Sequence, residues 1–391
     1  MYNFDTPISR EGTHTEKYDA RLKKFGRADV MPLWVADMDL PTSPQIQHAL
    51  QERIAHPIYG YTHYHAGYFD AIRGWMAKEH AWAVEREWIA PINAIVTGLN
   101  LAVEVLSERG EGVLIQPPIY PPFYGAVRKQ KRRLLENVLQ LRDGRYEIDF
   151  DDFEAKAKEA KLFLFCSPHN PTGRVWERWE LERMAQICRA HGVTILSDEV
   201  HADLTQASHR HIPIASLPDA ADITITLNAP SKTFNIAGIV TAYAIVPNSS
   251  LRRRYHEIFR RYSLDAPSLI SQTATIAAYT RSEAWLAALK GYLADNLAYL
   301  YERFAAMPKI VPIRMEATFL LWLDCRGMGM DDAALQRWFA DEAGLGLNPG
   351  SSFGRGGEGF MRLNFALPRA QLEAAMRQLT TAYRRFEGIN N

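Results

Sequence analysis

Between about residue 90 and residue 250, short apolar runs alternate with amphipathic stretches, and each run stops at a polar or Gly/Pro-containing loop. A strand covered on both faces is apolar throughout, and a parallel neighbour is reached only through a crossover, usually a helix. The alternation therefore predicts a βαβ series with a mostly parallel sheet, the α/β fold class. The expected strands are Ala94 to Thr97, Val113 to Gln116, Leu162 to Cys166, Thr194 to Ser197, Ile223 to Leu227 and Ala242 to Val246. Ligands of such sheets bind beyond the carboxyl ends of the strands, so the loops there are where chemistry is sought.

From roughly 266 to 308 the apolar spacing becomes helical, which predicts a long connecting helix or a helix pair. Beyond it, Phe319 to Leu323 and Phe360 to Phe365 are expected strands, separated by a helix over Asp331 to Ala343. A chain of 391 residues exceeds one comfortable core. The expected division is a large domain over 46–280 and a smaller α+β domain from 1–45 and 281–391.

Lys plus Arg equals Asp plus Glu at 45 each, so no global field draws the chain to nucleic acid or an anionic membrane. The densest basic run, LRRRYHEIFRRY, reads as a solvated helix face. Cys166, Cys188 and Cys325 lack the spacing of a zinc site or a disulfide framework, which fits a reducing, cytoplasmic setting. The polar N-terminal stretch does not read as a secretory signal, and no run approaches eighteen apolar residues. His201, His209 and His211 lie close in sequence but match no standard zinc pattern, and no metal is expected; His209 and His211 read as exposed loop residues.

Four loop segments carry the candidate chemistry. Lys232, in NAPSKTFNIAG, follows an apolar strand, where partial burial disfavours the ammonium form and frees an amine for Schiff-base chemistry. Asp198, in SDEVHADL, ends the apolar run VTIL; there it either orders a loop or meets a cation such as a protonated ring nitrogen. Asn170, in SPHNPTGRVW, offers an amide on a turn stiffened by Pro168 and Pro171. In VTGLNLAVEVL, Gly98 stands at an expected helix start, where exposed backbone N–H groups suit a phosphate.

Together the four resemble, in order and wording, the class I/II aminotransferase superfamily of pyridoxal-phosphate enzymes of fold type I, over nearly the whole chain. PLWVADMDLPTSP, SDEVHADL and APSKTFNIAG resemble its branch of cystathionine β-lyases and cysteine C–S lyases, the MalY/PatB group. The resemblance implies that Lys232 holds pyridoxal 5'-phosphate as a Schiff base and moves the substrate's Cα proton. It implies that Asp198 pairs with the ring nitrogen, Asn170 bonds the phenolic oxygen and Tyr120 stacks on the ring, while His201 lies beside the cofactor. Gly98, Leu99, Asn100 and Ser231 would hold the phosphate; Arg362, with Ala36 and Asn170, would bind the α-carboxylate of an amino-acid substrate. Tyr61 would reach the other subunit's cofactor, which implies a homodimer with shared sites; His63 and His65 are expected at that surface. Trp34, Tyr120 and Phe353 are candidates for the side-chain end of the pocket, and Tyr124 for local packing.

Two departures separate the chain from typical aminotransferases. His201 stands where many have a tyrosine, and no arginine occurs from Thr233 to Leu251, where many hold the phosphate. Both favour β-elimination over transamination. An aminotransferase on the same residues and a regulatory protein with bound cofactor are the rival readings.

Overall fold

In the computed structural model of the protein, which describes residues 2–388, the central sheet has seven strands. They are β1 (Ile89–Ile92), β2 (Gly112–Ile115), β3 (Arg133–Glu136), β4 (Ala160–Cys166), β5 (Thr194–Asp198), β6 (Thr224–Asn228) and β7 (Ala242–Ile245), in the order β1-β7-β6-β5-β4-β2-β3. From β3 to β6 every neighbour pairs in parallel; β7 runs antiparallel between β6 and β1. Strands β2, β4, β6 and β7 are buried along nearly their whole length, which explains their unbroken apolar runs. Cys166 pairs with Asp198, and Asp198 with Leu227, so β4, β5 and β6 end level with one another. Chemistry placed in their following loops is thereby brought to one edge.

One expected strand is corrected. Ala94 to Thr97 is not extended: Ala94 caps helix α3 (Ile95–Leu106), and the strand before it is β1, four residues that include Pro91. A short helix start rich in β-branched residues has the same composition as a strand end, so periodicity cannot separate them. Edge strand β3 was also not expected, its Leu134 and Leu135 being flanked by charged residues.

The C-terminal half supplies a second, antiparallel sheet of β8 (Val311–Pro312), β9 (Leu320–Asp324), β10 (Asn348–Pro349) and β11 (Phe360–Asn364), in the order β8-β9-β11-β10. The helical stretch before it is a pair, α5 (Leu269–Arg281) and α6 (Glu283–Phe304). Asp332–Arg337 is helical and widens into a π turn over Trp338–Glu342. The N-terminal segment joins this half: Met31 and Pro32 pair with Leu345 and Gly346. One apolar cluster, including Phe4, Ile46, Trp75, Tyr243, Trp285 and Leu363, crosses both expected domain boundaries. The basic run forms helix α4 (Ser249–Arg261), with Tyr255, Ile258 and Phe259 buried and its arginines half-buried or exposed on the other faces.

Gly98 has a packing role. A Cβ there would fall 2.7 Å from Ile92 Cδ1, 2.9 Å from the Tyr255 hydroxyl and 3.3 Å from Leu227 Cδ1. The Tyr255 hydroxyl donates to Gly98 O at 3.0 Å, so the missing side chain lets α3 settle on the sheet and on α4. Gly98→Val should destabilise the protein by about 1–3 kcal/mol through overpacking. Thermal unfolding of the cofactor-free protein measures this, and an unchanged Tm would contradict the seating of α3 described here.

Candidate active site

The loops after β1, β4, β5 and β6 converge on a cavity of about 310 Å³, lined among others by Ala36, Tyr120, Asn170, Asp198, His201, Ser231 and Lys232. Residues from five separate stretches of the sequence thus share one enclosure at the carboxyl ends of the parallel strands, where α/β sheets bind ligands.

Asp198, the last residue of β5, is 5% exposed, and its carboxylate accepts one hydrogen bond, from Val200 N–H at 3.2 Å. Among the described residues no cation stands at ion-pair distance from it. Burial accordingly raises its pKa to about 7, against the lowering effects of the Val200 bond and the positive charge of Lys232. Lys232, four residues past β6, donates from Nζ to Ala36 O at 2.6 Å. Its pKa falls to about 8, first through desolvation and further through Arg362, while Asp37 and Asp198 oppose the fall. An amine with such a value is partly neutral near neutral pH, as a nucleophile or proton acceptor requires.

Arg362, on β11, is likewise buried with no counter-ion among the described residues. Its Nη1 donates to Asn170 Oδ1 at 3.0 Å, its Nη2 to Trp34 O and Asn348 Oδ1 at 3.1 Å each, and its Nε has no partner. The guanidinium lies 4.8 Å from the centroid of the Phe353 ring. Burial lowers its pKa to about 10, with Tyr120 acting to raise it. Arg362 occupies Asn170 Oδ1, which turns the Nδ2 donor of that amide away from the guanidinium. His201 is held neutral, its pKa lowered to about 3 by burial and then by Lys232 and Arg362, and its Nδ1 is buried without a partner. Burial raises the Tyr120 phenol.

At the expected phosphate cradle, groups of all three residues are already engaged. Gly98 N–H already donates to Ala94 O, Leu99 is packed in the sheet core, and Asn100 turns its amide to Val96 O. Ala94, Ile95 and Val96 line the cavity instead, one turn earlier, where no side chain caps α3 and the leading N–H groups lack helical acceptors. Sequence placed the helix start too late because it read these residues as a strand. Ser231 lines the same cavity, and its hydroxyl makes no hydrogen bond among the described residues.

Other expectations divide. Tyr61 is fully exposed in the segment before α2 (Ala66–His80) and lies outside the chain's own cavity. Trp34 contributes its carbonyl to Arg362, while its ring packs against Phe25 and its Nε1 bonds Lys17 O. Tyr124 packs locally, its hydroxyl on Glu136. His211 is buried against Glu199 at 2.9 Å, not exposed, and His209 sits apart on Ser208. His65 caps α2 through Gly67 N–H. Among residues not foreseen, Asn348 and the three cradle residues matter most.

Residues 28–379 match the family described as aminotransferase class I and II, and the chain belongs to it. The cystathionine β-lyase PatB of Bacillus subtilis is 41% identical over 97% of this chain and 99% of its own length. Protein MalY of Escherichia coli is 36% identical over 98% and 99%. The structure of cystalysin from Treponema denticola, which contains pyridoxal 5'-phosphate, superposes with a TM-score of 0.95 at 32% identity over 98% and 99% of the two chains. Within the family the chain falls in the MalY/PatB cystathionine β-lyase branch.

The uncompensated carboxylate has a pH signature. Between about pH 4 and pH 7 folded Asp198 keeps a proton that the unfolded chain has lost, so this group makes stability fall as pH rises through that window. In the cofactor-free protein Asp198→Asn should gain on the wild type across the window, by on the order of 4 kcal/mol. Denaturant unfolding at several pH values measures it; parallel curves would show that Asp198 is ionised throughout.

Proposed function

We propose that the cavity binds pyridoxal 5'-phosphate and cleaves the Cβ–S bond of L-cystathionine or a related S-substituted L-cysteine, giving a thiol, pyruvate and ammonia. The enzyme is a pyridoxal-phosphate-dependent carbon–sulfur β-lyase. One observation carries the assignment of roles. Asp198 lines the cavity and Arg362 adjoins it through Asn170, and among the described residues neither forms an ion pair with an opposite charge. A protonated ring nitrogen satisfies the first and an amino-acid carboxylate the second.

The donor set fits the cofactor. Ser231 and the leading N–H groups of α3 would take the phosphate, Lys232 Nζ the aldehyde carbon, Asn170 Nδ2 the phenolic oxygen and Tyr120 the ring face. When bound, pyridoxal phosphate supplies an electron sink for the pair released at the substrate's Cα. Asp198 keeps the proton on the ring nitrogen and so makes that sink effective. Arg362 clamps the α-carboxylate, with Ala36 beside it, and fixes which Cα bond faces Lys232. Lys232 removes the Cα proton as a base, after which the Cβ–S bond breaks and the thiolate leaves. Neutral His201 stands where aminotransferases carry a phenol, so no hydroxyl there competes for the phenolic oxygen.

We place the active form in a homodimer, with the exposed Tyr61 reaching the partner's cavity, and in the cytoplasm, where three buried, unpaired cysteines fit reducing conditions. Release of homocysteine from cystathionine would serve methionine biosynthesis.

Purified protein incubated with L-cystathionine and no keto acid should release pyruvate and free thiol in step. Turnover only after keto acid is added would establish an aminotransferase instead. Arg362→Lys, which loses the planar two-pronged grip, should raise KM by about 10- to 100-fold. An unchanged KM would remove Arg362 from the carboxylate site. Tyr61→Phe should lower activity, and hybrids with inactive Lys232→Ala subunits should reveal shared sites; hybrids that behave as independent subunits would refute the cross-subunit role.

A further inference from the structure

Behind the cavity lies a buried polar chain that no step above uses. Asp203, 6% exposed, accepts from three side chains: Trp75 Nε1 at 3.1 Å and His80 Nε2 at 2.9 Å on Oδ1, and the Thr233 hydroxyl at 2.7 Å on Oδ2. Burial would raise this carboxylate, yet the bonds from His80, Thr233 and Trp75 hold it below its ordinary value, so it stays ionised. Trp75 and His80 belong to α2, a rigid helix whose Trp75 stacks on Tyr279 of α5 at 4.8 Å. Thr233 is fully buried and directly follows Lys232.

A matching tie holds the neighbouring strand. Glu199, directly after Asp198, accepts from Ser197 and pairs with His211, and the His211 ring meets His80 edge-on at 5.4 Å. The residues following both Lys232 and Asp198 are therefore anchored in one contiguous buried network.

We propose that His80, Asp203 and Thr233 form a positioning chain that fixes the backbone of Lys232 and so the direction from which its Nζ meets the cavity. None of the three lines the cavity, so they act through Lys232. Successive residues project differently, and Thr233 bonded inward to Asp203 leaves Lys232 turned toward Ala36 O, 2.6 Å from its Nζ. A four-bond side chain amplifies a small backbone rotation into a displacement of the order of 1 Å at Nζ, enough to slow proton transfer while carboxylate binding at Arg362 is untouched. The charges facing Lys232 are those of Asp37, Arg362 and Asp198, all outside this chain of bonds.

The proposal rests on Lys232 carrying the cofactor. The test compares Thr233→Val, nearly isosteric but without the hydroxyl, with Thr233→Ser, which keeps it. In the holoenzyme Thr233→Val should lower kcat roughly ten- to hundredfold with KM for L-cystathionine within about twofold. It should also move the midpoint of the pH-dependent absorbance change of the bound cofactor by about 0.5 unit or more, and Thr233→Ser should restore both. Wild-type kcat and midpoint in Thr233→Val, or equal impairment in Thr233→Ser, would overturn the proposal. If Thr233→Val does not fold, His80→Gln reads the same chain from its far end: both quantities must move together, and if neither does the proposal fails. Wild-type protein that takes up no cofactor overturns the underlying reading as well, whereas variants that match a cofactor-loaded wild type overturn this proposal alone.

Discussion

The site depends on keeping Asp198 and Arg362 buried with no ion-pair partner among the described residues. An uncompensated charge in a protein interior is unfavourable by several kcal/mol, and a chain free to relax would pair or expose both. Here neither can move: Asp198 ends a central strand hydrogen-bonded on both sides, and Arg362 lies on β11 between two other strands. The unfavourable burial is held in place by the cooperativity of the two sheets. In the proposed function, a ligand that brings a ring cation and a carboxylate would recover it as binding energy.

The cations are meanwhile solvated by peptide groups of the N-terminal segment. Trp34 O faces Arg362 and Ala36 O faces Lys232. That segment is fastened at both ends of the site: Asn364 donates to Val35 O and Asp37 O, and Asn235 exchanges hydrogen bonds with Met38 and donates to Leu40 O. Arg10 and Lys17 neutralise Asp37 and Asp39 beside it. A stretch of chain that is distant in sequence from both functional residues thus joins the strand bearing Arg362 to the loop bearing Lys232.

Much of the fold could be read before any coordinates. Strands β2, β4, β5, β6 and β7 lie within a residue or so of where their apolar runs placed them, because a strand buried on both faces writes its extent into composition. The helix pair over 269–304 followed from its spacing. Failures cluster where composition is ambiguous. Ile95, Val96 and Thr97 are β-branched yet begin a helix, so the helix start was read about one turn too late. His201, His209 and His211 lie close in sequence, but His201 faces the cavity, His209 is half-buried between Ser208 and Glu316 where exposure was expected, and His211 is locked to Glu199.

By itself the sequence determined which residues were candidates for chemistry: an aspartate at the end of an apolar run, and a lysine and an asparagine within a few residues of one, which local composition records directly. What it could not determine is which of those groups lack partners, since partnership is a long-range property. That Arg362 meets Asn170 across 192 positions, or that Thr233 meets Asp203 across 30, follows only from how the sheets and helices pack. The tertiary structure decided that Asp198 and Arg362 remain uncompensated, and an uncompensated buried charge is what makes a cavity select its ligand.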